Sequence, residues 1–112
     1  EFPQGTAPGL AELEPAELAV RELREETGLT AATMTVLGCL DLAPGLSSQR
    51  GWVFLATDVA EGDPDLEVEE QDMRSQWFSR TEVERMILAG EITDAQSIAA
   101  YATLLLTERS GR

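Results

Sequence analysis

Histidine and lysine are both missing from this 112-residue chain, and cysteine occurs once. Without histidine there is no Ser-His-Asp type of triad and no histidine-bearing zinc site. A lone cysteine, Cys39, closes no internal disulfide, so nothing in the chain calls for an oxidising compartment. Within "TMTVLGCLDL" it reads as a small apolar residue buried in a strand, with no partner to make it a nucleophile. Base is scarce as well. Eight arginines stand against 21 acids, a formal net charge of −13. That balance excludes a nucleic-acid backbone or an anionic membrane as a direct partner unless cations intervene. No apolar run approaches the ~20 residues needed to span a bilayer, and the expectation is a soluble cytoplasmic protein. The initiator methionine is also lacking. The chain opens with "EFPQG", which leads to the expectation that residues upstream are absent.

What is present suits one folded domain over residues 1–112, with 43% apolar residues. "QGTAPGL" (4–10) is a Gly- and Pro-bearing loop. "EPAELAVRELREETG" predicts a helix with Pro15 at its first position and Gly28 just past its end. Ala16, Ala19, Val20, Leu23 and Thr27 fall on one face, expected to be the packed one. "TMTVLGCLDL" (33–42) predicts a strand interrupted at Gly38, "APGLSSQRG" a turn, and "GWVFLATDV" (51–59) a second strand. "EGDPDLEVEEQD" (61–72) carries seven acids and no base and reads as a solvated loop. "SQWF" (75–78) predicts a short strand, in which Trp77 and Phe78 are expected to pack; stacking on a purine is the other reading. Trp52 divides the same way. Ser79 and Glu82 have capping-box spacing ahead of a helix closed by Gly90. Thr93 and Gln96 make a second box ahead of "AQSIAAYATLLL", whose apolar face includes Ile98, Tyr101 and Leu105. The order is helix, strands, then two short helices, an α+β class. So few strands for so much apolar helix surface again predict missing N-terminal sheet.

The first helix carries an oddity. Glu22, Glu25 and Glu26 stand at i, i+3 and i+4, where like charges repel by roughly 0.2–0.5 kcal/mol per pair. They also lie toward the helix C-terminus, where the macrodipole disfavours anions. A solvated face would scatter such acids, and they point away from the expected apolar stripe. A hard divalent cation converts the same repulsion into a binding site, because Mg²⁺ takes carboxylate oxygens and keeps water and substrate phosphate in its shell.

These residues also carry a family resemblance. "RELREETGL", Arg21 to Leu29, resembles the core of the Nudix hydrolase signature, Arg-Glu-apolar-x-Glu-Glu-x-Gly-apolar, and all seven constrained positions match. The upstream half departs from it: strict spacing places Ala7 and Leu13 where the family has a glycine and a glutamate. With Gly5 as the signature glycine, the loop is about two residues longer, and Glu12 or Glu14 takes the place of the glutamate. "APGLSSQRGWVFLATDV" and "GEITDAQSIAA" are similar to stretches of ADP-ribose pyrophosphatases, with Gln49 where those have an acid.

The resemblance implies a Nudix α/β/α sandwich with a mixed sheet. It implies metal-dependent hydrolysis of ADP-ribose or a related nucleoside diphosphate sugar, giving AMP and a sugar phosphate. Mg²⁺, or Mn²⁺ in its place, is the implied cofactor. Glu22 and Glu26 are the leading implied ligands, with Glu25 a ligand or near neighbour and a backbone carbonyl at Gln4 or Gly5 completing the shell. Arg21 is implied to orient the carboxylates, while Gly5 and Gly28 are structural. For catalysis, Glu22 and Glu25 act on the helix, and the general base is expected at Glu70, with Glu69 next. A small nucleotide substrate and a homodimer are the implied partners. Two alternatives stand beside this reading: a nucleoside triphosphate pyrophosphohydrolase, and a truncated module that binds nucleotide without turnover.

Overall fold

The structure is a computed structural model that describes residues 1–5, 14–66 and 71–111. Its elements run α1 (Pro15–Thr27), β1 (Thr30–Asp41), β2 (Arg50–Ala60), α2 (Arg80–Leu88) and α3 (Ala95–Arg109). The class is α+β, as expected. Among the described residues the sheet is a two-stranded antiparallel ribbon, β1 against β2, where a mixed sheet was expected. The chain's contacts divide into two compact units. One holds Phe2–Val36 and Phe54–Ser75, the other Leu37–Val53 and the chain from Gln76, with Glu1. Each strand runs through both.

The first unit is built on α1. Pro15 occupies the first turn, where its missing N–H costs nothing. Gly28 ends the helix in the left-handed region at φ 79°, its N–H bonded to the Arg24 carbonyl at 2.9 Å. Thr27 Oγ1 donates to the Leu23 carbonyl and accepts from the Leu29 N–H at 3.1 Å, which turns the chain out of the helix into β1. The expected apolar stripe is only partly covered: Ala19, Leu23 and Thr27 are half-buried, while Ala16 is exposed and Val20 is 45% exposed. The buried residue of α1 is Glu26. A helical wheel shows that faces differ, whereas tertiary contacts decide which face is covered.

The second unit holds the turn end of the ribbon and both later helices. The Leu42 N–H meets the Gln49 carbonyl at 3.1 Å, and Gly45, at φ 89°, sits in the turn between the strands. β1 runs unbroken through Gly38, contrary to expectation, and a Cβ there would touch Thr103 of α3 at 3.5 Å. Cys39 is exposed, not buried: alternation along the strand turns it outward.

α2 starts where Ser79 Oγ accepts from the Glu82 N–H at 3.1 Å. α3 starts at Ala95, as expected, but with a different cap. Asp94, not Thr93, is the cap, accepting from the Ser97 N–H at 2.9 Å and from Ser97 Oγ at 2.7 Å. Asp outcompetes Thr here because a carboxylate serves both donors. Arg80 grips Glu108 through two nitrogens at 2.5 and 2.8 Å, and the Tyr101 hydroxyl donates to Glu84 at 2.5 Å. Val83 and Tyr101 are the buried apolar residues among those described.

Ser75–Phe78 forms no strand. Trp52, Trp77 and Phe78 are 53%, 64% and 47% exposed, so none of the three is a buried core residue.

Candidate functional site

The glutamates of α1 diverge in their surroundings. Glu26, 8% exposed, accepts from the Gln4 backbone N–H at 3.2 Å through Oε2. Glu22, half-buried one turn earlier, lies against Gly5 so closely that a Cβ on Gly5 would stand 2.8 Å from Glu22 Oε1. Glu25 turns the other way: its Oε1 takes the Arg21 Nε–H at 2.8 Å, with the carboxylate side chain 19% exposed. Helical spacing explains the division. Positions i and i+4 share a face, and position i+3 lies between that face and Arg21, four residues before it.

The structure thus brings Glu22, Glu26, Gln4 and Gly5 together. Arg21 and Glu25 form a neighbouring pair, and Gly28 ends their helix. Glu12, Glu69 and Glu70 lie outside the described residues. Among those described, no three His, Cys, Asp or Glu side chains are gathered as a metal site. What is gathered is two carboxylates beside the backbone of Gln4 and Gly5. Two carboxylates suit a hard cation, since Mg²⁺ is usually held through one or two carboxylates and fills its remaining positions with water and phosphate.

A further group escaped the sequence reading. The Asp65 N–H donates to the Glu25 carbonyl at 2.8 Å, and Ser75 Oγ donates to the Glu26 carbonyl at 3.2 Å. Between them, Gln71 Nε2 donates to the Leu66 carbonyl at 2.8 Å. Gly62 lies against Gly28 so tightly that a Cβ on Gly28 would strike the Gly62 carbonyl. Gly62, Asp65 and Ser75 therefore meet the C-terminal end of α1, where helix carbonyls lack partners of their own. Only the glycine at 62 hinted at a close approach; amide and hydroxyl donors leave no spacing pattern.

The profile of the NUDIX domain matches residues 1–101, and the chain belongs to the Nudix family. It is similar to an ADP-ribose pyrophosphatase of Mycobacterium tuberculosis (strain ATCC 25618 / H37Rv), 48% identical over 88 residues, which cover 77% of this chain and 42% of that protein. An ADP-ribose pyrophosphatase of Bacillus subtilis (strain 168) is 29% identical over 96 residues, covering 85% of this chain and 52% of that protein. The chain spans about half the length of these curated relatives. Among the described residues no helix is long and apolar enough to cross a membrane.

Proposed function

We propose that the protein hydrolyses the diphosphate of ADP-ribose, or of a related nucleoside diphosphate sugar, with Mg²⁺ or Mn²⁺ as cofactor. The observation that carries this reading is the convergence of Glu22 and Glu26 on the Gln4–Gly5 backbone within the matched family segment. The names of both relatives support the substrate class.

Glu22 and Glu26 would hold the cation, with the Gln4 or Gly5 backbone adding a carbonyl. Bound there, the cation supplies charge neutralisation for the diphosphate and lowers the pKa of a coordinated water. Arg21 keeps Glu25 beside the site through its charge-assisted bond, so that Glu25 is either an added ligand or a neighbouring charge. Water attacks one phosphorus, the P–O–P bridge breaks, and the proton passes to a glutamate base. Glu70 is the first candidate for that base and Glu69 the second. ADP-ribose then yields AMP and ribose 5-phosphate. The working protein is proposed to be a homodimer.

Chromatography of the products tests the substrate class. The proposal expects AMP from ADP-ribose and no pyrophosphate from nucleoside triphosphates. Pyrophosphate release from triphosphates, with ADP-ribose left intact, would reassign the substrate.

A further inference from the structure

The carbonyls of the last turn of α1 find their donors one by one. The helix ladder closes at Arg24, whose carbonyl takes the Gly28 N–H at 2.9 Å. The next two carbonyls lie past that ladder, and they belong to two of the three clustered glutamates. The Asp65 N–H donates to the Glu25 carbonyl at 2.8 Å, and Ser75 Oγ donates to the Glu26 carbonyl at 3.2 Å. These donors differ in kind. Asp65 donates through its backbone, as any residue but proline could, whereas the bond from Ser75 depends on its side chain. Glu26 is also the buried glutamate of α1, and its Oε2 accepts the Gln4 backbone N–H at 3.2 Å. Its main-chain and side-chain oxygens are therefore both held from outside the helix, the first by a residue 49 positions later in the chain.

We propose that Ser75 is a positioning residue for the cation site: its hydroxyl keeps the Glu26 peptide in the final turn of α1, and thereby keeps the Glu26 carboxylate against the Gln4 backbone. This rests on the reading above that Glu26 is a cation ligand. Ser75 touches neither cation nor substrate in the proposal. Without its hydroxyl the Glu26 carbonyl turns to water and the helix end frays. The Glu26 side chain then moves with its own backbone, because the Cα–Cβ direction follows the helix. Glu22, one turn earlier, stays in the ladder beside Gly5, so the two carboxylates no longer converge.

The test compares Ser75→Ala, Ser75→Val and Ser75→Thr with wild type in the full chain. Valine and threonine differ in the hydroxyl at nearly equal volume, so that pair isolates the hydrogen bond. Ser75 is exposed, so folding can be checked independently by circular dichroism, and either loss variant decides alone if the other unfolds. Two readouts are free of turnover. Exchange of the Gln4 amide, whose acceptor is the Glu26 carboxylate, is expected to quicken about fivefold or more in Ser75→Ala and Ser75→Val. Mn²⁺ binding without substrate, followed by the EPR signal of the free ion, is expected to weaken by a similar factor. Ser75→Thr is expected to keep wild-type values of both, because it keeps the hydroxyl. A residue that only stabilised the fold would lower the unfolding midpoint and leave both readouts unmoved in the folded variants. Wild-type Gln4 exchange, or wild-type Mn²⁺ affinity, in the folded loss variants overturns the positioning role. Loss of Mn²⁺ affinity in Glu26→Gln would then leave the cation reading standing. If Glu26→Gln binds Mn²⁺ as wild type does, the cation reading itself fails and the positioning role falls with it.

Discussion

Gly5 leaves the Glu22 carboxylate the space that any side chain would take: a Cβ there would stand 2.8 Å from Glu22 Oε1, inside van der Waals contact. The glycine is required by close approach, not by backbone angle. Gly5→Ala is expected to push Glu22 off the Gln4–Gly5 backbone and to lower turnover on the order of 100-fold. A magnesium titration of initial rates checks it, with the half-saturating concentration expected to rise. An unchanged magnesium requirement would contradict the placement of Glu22 among the ligands.

Gly28→Ala strikes the fold and the loop together. The left-handed φ of 79° costs a non-glycine residue about 1–2 kcal/mol, and the new Cβ would also meet the Gly62 carbonyl. A loss of about 2 kcal/mol or more is expected by urea denaturation. Gly62→Ala is expected to be milder, because its Cβ would stand 3.0 Å from the Gly28 carbonyl.

The α2–α3 pair is expected to weaken at both extremes of pH. The hydrogen bond and charge of Arg80 hold the Glu108 carboxyl below its ordinary 4.5, and Arg85 does the same to Glu82. Groups with depressed values stabilise the fold fully above their unfolded value and lose that contribution as pH falls through the lower folded one. Tyr101 runs the other way. Its hydrogen bond to Glu84, then burial, raise it above its ordinary 10.0, so its contribution is present below that value and fades as pH climbs through the raised one. Thermal unfolding followed by circular dichroism across pH checks both limbs. Glu108→Gln is expected to flatten the acid limb and Tyr101→Phe the alkaline limb.

How much of this was legible in the sequence depends on the range of the interaction. Pro15, Gly28 and Ser79 were readable because caps follow from local backbone rules. The cluster of Glu22, Glu25 and Glu26 was readable because helix periodicity and the family motif coincide. Burial was not: Val20 and Trp77 are exposed and Glu26 is buried, since coverage depends on what packs from far along the chain. The strand expected at Ser75–Phe78 failed for a related reason. β-propensity without a neighbouring strand is not a strand, and Ser75 spends its hydroxyl on the Glu26 carbonyl instead.

In the proposed function, α1 holds a catalytic cation through Glu22 and Glu26. The most direct measurement is AMP release from ADP-ribose by the wild-type chain with Mg²⁺ and with EDTA, alongside Glu22→Gln and Glu26→Gln. Release that EDTA abolishes is expected, with a loss of at least about 100-fold in each variant while circular dichroism shows the helices intact. Wild-type rates from both variants with Mg²⁺, or release that EDTA leaves untouched, would contradict it.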